Sequence, residues 1–418
     1  MRLVTLWGLQ LTKIDTLFRN ARLSDGRVVD IAVKNGRIAT ISADSPGSLP
    51  ARETFDLNRR LVLPGLVDGH VHLDKGFIGD EWKPHRPCTA GFNVRERVEF
   101  EKQALAKAKP IPVRAAGLIE LCVTQGTTHM RSHVDIDPGI GLRNLEQVVA
   151  VRDAHRDRVS IQIVAFPQSG IVTAPGTREL LEEAIRNGAD LVGGLDPAGY
   201  DGDIAGHLNA IFDIAGRHDV GIDIHLHDGD LLGVFEIEEI ARRTKALGLG
   251  GKVTISHAYA LGQVSRDTAQ RAANQLAEAG VSILTNAPGA HAFPPVLLLH
   301  DAGVNVFAGN DNIRDSWWPY GDGDLLERAM IVGYRSGFNT DAELALTFDM
   351  VTSSAAKALN IENYGLVEGG AADFLVLDAQ HIQEAVIARP KPRDVYKAGR
   401  LIASNGAMIA QNTGANAA

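Results

Sequence analysis

Leu61-Val62-Leu63-Pro64-Gly65-Leu66-Val67-Asp68-Gly69-His70-Val71-His72-Leu73-Asp74-Lys75 reads as an apolar strand, a Pro-Gly break and a second strand that ends on His-x-His. Successive strand side chains alternate between faces, so His70 and His72 point the same way and can share one ion. Two histidines at this spacing are as often surface or core residues, so the motif is weighed against the rest of the chain. A segment that enters a domain and delivers ligands at the end of its first strand requires more strands like it, with polar residues at their ends.

Working outward, the middle of the chain repeats a β-branched run followed by a longer segment of helical spacing. Eight such runs fall at 67–73, 127–134, 159–166, 190–195, 220–226, 252–256, 281–286 and 304–309. Helical candidates lie between them, such as 177–188 and 268–280, the latter closing on Ala-Gly as helix C-termini commonly do. Eight β/α units in about 300 residues predict an α/β fold, a (β/α)8 TIM-like barrel whose chemistry sits at the C-terminal ends of its strands. Short alternating runs flank this middle. Those at 16–20, 28–33 and 36–41 are separated by Asp-Gly and Asn-Gly hairpin turns, and a matching set lies at 372–378 and 395–403. They predict a small β-sandwich domain built from both chain termini, 1–63 and 362–418, around a catalytic barrel of 64–361. Residues 1–13 read as a short leader without a small-residue cleavage site, and the Ala/Asn/Gly-rich tail beyond Gly406 is expected to fray.

Composition narrows the function. At 418 residues, 45% hydrophobic and 22% charged, with a net charge of -9, the chain is an ordinary globular one. Its acidic balance argues against nucleic acid or an anionic membrane as the main partner and for a small-molecule substrate. No apolar run approaches bilayer length, and a cytoplasmic protein is expected. The only cysteines, Cys88 and Cys122, cannot build a disulfide framework or a four-thiolate zinc site. The His-x-Glu and Pro-Cys-x-x-Cys pattern of cysteine-ligated nucleobase deaminases is absent, so any metal must be held by histidine and carboxylate.

Applied to the eight runs, the strand-end rule collects His70 and His72 after the first, His225 on the fifth, His257 after the sixth and Asp311 after the eighth. Each alone could be a satisfied polar group or a helix cap; together they argue for a site. Histidines with an aspartate suit Zn(II) or Fe(II) and poorly suit Mg(II) or Ca(II). Such an ion with an open position acidifies bound water and supplies hydroxide near neutral pH. Barrels holding two ions usually carry a bridging carboxylate or modified lysine late in strand 3 or 4. Here those ends read Val164-Ala165-Phe166-Pro167-Gln168 and Val192-Gly193-Gly194-Leu195-Asp196, without lysine, so one divalent ion is expected.

Pro64 to Lys75, Arg131-Ser132-His133-Val134-Asp135, Gln162 to Gly170, Leu191 to Ala198, Ser256-His257-Ala258 and Asp311-Asn312-Ile313-Arg314-Asp315 together resemble the amidohydrolase superfamily, in particular its cytosine deaminase-like branch and within it the enzymes of s-triazine breakdown. The resemblance implies that His70, His72, His225 and Asp311 bind the ion, that His257 polarises the water or the leaving nitrogen, and that Gln168 contacts a heterocyclic ring. Deaminases of this branch place a glutamate three residues after the strand-5 histidine as proton shuttle; this chain has Asp228 there. Asp228, the adjacent His227 or Asp311 itself is then the candidate proton carrier. Lys75 and Asp196 could read a polar substituent, although Lys75 could also simply pair with a carboxylate. Trp317 and Trp318 could form an aromatic wall or pack a loop. His129 and His133 are left off the ligand set, and Asp135 is open. The implied reaction is metal-hydroxide release of ammonia or an alkylamine from a ring carbon of a cytosine-like or aminotriazine-like heterocycle. Its rivals are a cyclic amidase that opens a lactam, imide or hydantoin-type ring, and a non-catalytic member. Relatives are commonly homo-oligomers, which is the assembly expected here.

Overall fold

The computed structural model describes residues 14–43 and 50–410, so the reading of 1–13 and that of the tail from 411 on lie outside the described residues, while Ala407 and Met408, expected to fray, pair as a short strand with Ser404 and Ala403. The chain opens with β1 (Ile14–Arg22), β2 (Val28–Lys34) and β3 (Arg37–Ser42), an antiparallel meander. Asn35 and Gly36 both turn at positive φ, 51° and 74°, the geometry that Asn-Gly favours in a two-residue hairpin. β4 (Ala51–Asp56) and β5 (Leu61–Pro64) then pair parallel to β1.

The next strand, β6 (Leu66–Val71), starts the barrel. After it come α1 (Val94–Leu105), α2 (Ile111–Thr124), β7 (Thr127–Asp135), α3 (Arg143–His155), β8 (Ser160–Phe166), α4 (Thr177–Arg186), β9 (Leu191–Leu195), α5 (Ile204–His218) and β10 (Gly221–Leu226). The turn is completed by α6 (Asp230–Ala246), β11 (Val253–His257), α7 (Arg266–Ala279), β12 (Ser282–Thr285), α8 (Val296–Asp301) and β13 (Val306–Ala308). β6 to β13 neighbour one another in sequence order, all parallel, and each of the eight predicted runs contains or overlaps one of them. The ring closes where the Asp311 N–H donates to the His70 carbonyl at 2.7 Å, next to a bridge between Val71 and Asp311. A TIM-like barrel results, and every residue of β6, β9 and β11 is buried, as strands covered on both faces are. Gly69 is needed in β6 because a Cβ there would come within 2.5 Å of the Phe307 ring on β13.

Helices α9 (Leu325–Ser336), α10 (Asp341–Met350) and α11 (Ser353–Ala358) lead back to β14 (Phe374–Leu377), α12 (Ile382–Ala388), β15 (Asp394–Lys397), β16 (Arg400–Ser404) and β17 (Ala407–Met408). Both termini therefore share one nine-stranded sheet, joined by antiparallel β5–β14 pairing with Leu61 opposite Leu377 and Leu63 opposite Leu375. Phe18 packs edge-on against Phe374 and Tyr396 beneath it, with centroids 5.1 and 5.0 Å apart. The link from β6 to β7 departs from the regular repeat, since it carries a long loop and two helices, α1 and α2, instead of one.

Candidate metal centre

Four strand ends meet at the mouth of the barrel. β6 supplies His70 and, just past its end, His72; β10 supplies His225, β11 His257 and the turn after β13 Asp311. His70 Nε2 lies 3.0 Å from His225 Nε2 and 3.6 Å from Asp311 Oδ1, and His72 Nε2 lies 3.3 Å from the same Asp311 oxygen. All five side chains are more than nine-tenths buried. His257 (φ 75°) and Asp311 (φ 61°) hold left-handed backbone that non-glycine residues rarely adopt, a conformation that recurs at functional sites.

The tautomer of His70 follows from its neighbours. Ser256 Oγ donates to Asp223 Oδ1 at 2.7 Å, so it can only accept from His70 Nδ1, 3.0 Å away. That fixes the proton on Nδ1 and leaves the Nε2 lone pair aimed at His225 and Asp311. Arg131 Nη1 donates to the other Asp223 oxygen at 2.9 Å and balances its charge inside the barrel. Burial holds His70 down to about pKa 3 and pushes His72 and His225 well below the ordinary histidine value. Neutral imidazoles whose Nε2 atoms gather around a carboxylate are a donor set that fits a divalent transition ion. Asp311 is steadied by Asn286, whose Nδ2 donates to Oδ2 at 2.7 Å.

Beside this centre is a chamber lined by His72, Lys75, Gln168, His227, His257 and Trp317, among others. His227 stacks on His257, with ring centroids 4.6 Å apart and planes 21° from parallel. Its backbone N–H and ring Nδ1 both engage Asp196, at 2.6 and 2.9 Å. Burial works against a charge on His227, but Asp196 outweighs it and raises the ring above its ordinary value. Asp228 points elsewhere: its Oδ2 accepts from the Gly199 N–H at 2.8 Å, and it lies beside the buried Glu236. Asp196 stands behind His227, and Trp318 lines a larger outer cavity that His227, Asp311 and Trp317 join to the chamber. Lys75 is 3.1 Å from Asp135 and 3.5 Å from Glu101. Burial works to discharge it, but these carboxylates hold it above the ordinary lysine value. Burial in turn raises Glu101 and Asp135, against the pull of Lys75.

The sequence reading missed Ser256, Asp223, Asn286 and Glu101. Asn286 closes the seventh run, where the strand-end rule points. Glu101 gave no signal, because Val94 to Leu105 carries charged residues on most of its length and reads as a solvated helix.

The Amidohydrolase family pattern matches residues 53–403. The chain belongs to the amidohydrolase family. This amidohydrolase is 34% identical over 402 residues to the N-isopropylammelide isopropyl amidohydrolase of Pseudomonas sp. strain ADP, across 95% of its own length and 99% of the relative's. The crystal structure of N-isopropylammelide isopropylaminohydrolase from Burkholderia multivorans is 40% identical to it, with a TM-score of 0.89 over 94% of this chain and 99% of the other. The 5-methylcytosine deaminase of Klebsiella pneumoniae liganded with 5-fluorocytosine is 29% identical, with a TM-score of 0.82 over 92% and 97%. The amidohydrolase is thus an enzyme acting on carbon–nitrogen bonds, in a superfamily of metalloenzymes, which sets aside the non-catalytic alternative. Among the described residues no helix is long and apolar enough to cross a membrane.

Proposed function

We propose that this amidohydrolase hydrolyses the bond between a ring carbon and an exocyclic nitrogen of a small cytosine-like or aminotriazine-like heterocycle, releasing ammonia or an alkylamine. One observation carries the reading: His225 and Asp311 each lie within 3.6 Å of His70, and His72 within 3.3 Å of Asp311, beside a chamber that also presents an amide, an ammonium and two stacked imidazoles. His70, His72, His225 and Asp311 would hold one Zn(II) or Fe(II), which when bound lowers the pKa of water toward neutrality and polarises the reacting carbon.

The chain's own groups do the rest. Asp311, steadied at Oδ2 by Asn286, would take the proton of the attacking water. His257, kept neutral by burial, hydrogen-bonds the developing charge at the reacting carbon. His227, held by Asp196, donates from its ring to the departing nitrogen, and the turn of Asp228 toward Gly199 favours His227 over Asp228 for that role. Gln168 and Lys75 meet the polar edge of the ring, and Trp317 closes one side of the chamber. The relatives named for isopropylammelide and 5-methylcytosine support a heterocyclic substrate. The same reading takes the enzyme to be a cytoplasmic homo-oligomer. Purified protein is expected to contain about one transition ion per chain and to release ammonia or alkylamine from a panel of aminopyrimidines and N-alkylaminotriazines. Ring opening instead of amine release, or full activity in His70→Ala, refutes the proposal.

A further inference from the structure

We infer that Glu101 is a positioning residue for substrate recognition, a single carboxylate that sets the geometry of Lys75, Gln168 and Trp317 at once. The inference rests on the chamber being the heterocycle site. Those three side chains come from three separate connections, after β6, β8 and β13, and all line the chamber. Glu101 Oε2 accepts the Trp317 indole N–H at 2.5 Å and lies 3.5 Å from Lys75 Nζ, while Oε1 accepts from Gln168 Nε2 at 3.4 Å. Lys75 has Asp135 as a second anchor. The Gln168 side-chain amide and the Trp317 indole have no other hydrogen-bond partner among the described residues, although the Trp317 backbone N–H donates to Asp315. The carboxylate rides on α1, outside the β/α repeat, where only Val98 and Glu101 are buried. A buried carboxylate carries a desolvation cost that a merely structural contact does not require, and Glu101 is 1% exposed. Glu101 touches neither the metal donors nor His227, so its effect falls on how the ring is held and not on bond breaking.

Glu101→Gln keeps the shape but has one acceptor oxygen for three donors, and its own N–H groups face theirs. Losing hydrogen bonds to a charged group on this scale is expected to raise KM about ten- to hundredfold and to change kcat less than about threefold. Glu101→Asp, which keeps the charge on a shorter arm, is expected to fall between Gln and the parent. A second readout needs neither turnover nor metal: the Trp317 emission, taken as the difference between spectra with and without Trp317→Phe, should shift in Glu101→Gln. The inference is overturned if KM stays within about twofold of the parent, or if the loss lies in kcat or melting temperature alone. If no heterocycle is turned over, the proposed function fails by itself, and an unchanged Trp317 difference spectrum separately overturns the positioning role.

Discussion

His227→Gln and Asp228→Asn separate the two candidate proton carriers. His227 lines the chamber, stacks on His257 and is locked through Nδ1 by Asp196, so its other ring nitrogen is the one free to face a leaving group. Asp228 has an oxygen committed to the Gly199 N–H and does not line the chamber. A positioned general acid contributes roughly 100- to 10,000-fold to rate, so His227→Gln should lower kcat by that order. Asp228→Asn keeps an acceptor for Gly199 and should cost less than about threefold, well below what a lost general acid costs. Gly199→Ala adds a control: its Cβ would fall 2.0 Å from Asp228 Oδ1 and must displace that carboxylate. The assay is amine release at saturating substrate, repeated with leaving groups of differing basicity, since the loss in His227→Gln should shrink as the amine needs less protonation. The reasoning is refuted if Asp228→Asn and Gly199→Ala both cost as much as His227→Gln, or if the His227→Gln loss ignores the leaving group.

Further expectations concern the metal, the barrel interior and one buried carboxyl. Chelation should abolish amine release and lower the melting temperature; Zn(II) or Fe(II) at a thousandfold excess over Kd should restore about 4 kcal/mol, and recovery with Mg(II) alone would contradict the donor assignment. Arg131→Met strands Asp223 without its buried counter-charge and should cost about 3–5 kcal/mol in denaturant unfolding, whereas a loss under about 1 kcal/mol would show that Asp223 needs no partner. Burial, and then the neighbouring Asp228, push Glu236 from its ordinary 4.5 up to about 9, so the folded protein keeps a proton there that the unfolded chain has already lost. Stability from this group is therefore greatest below pH 4.5 and falls as pH rises toward 9; Glu236→Gln should flatten that slope in melting temperature against pH, and an unchanged slope would refute it.

Much of this was readable from residue order. The barrel strands declare themselves because they are covered on both faces and carry β-branched residues in turn-bounded runs, and the candidate metal donors stand out because a barrel gathers its strand ends. The choice between His227 and Asp228 was not legible, because β10 ends at Leu226 and strand alternation does not reach either residue. What sequence could not show was long-range pairing of polar groups. Ser256, Asp223 and Arg131 come from three strands and each is unremarkable in its own run; only side-chain contact makes them the support of His70. Glu101 was hidden for the opposite reason, since its helix looks solvated and only Val98 and Glu101 are buried on it.

The antiparallel seam between β5 and β14 has a consequence for synthesis. Made from N- to C-terminus, the chain releases β5 roughly 300 residues before the strand that covers its edge. Until then Leu61, Val62 and Leu63, all 0% exposed in the finished molecule, stand along an open border that any other strand could zip onto. The sheet is in effect a completeness check: a chain cut short anywhere before Phe374 keeps that border sticky and marks itself for aggregation or proteolysis.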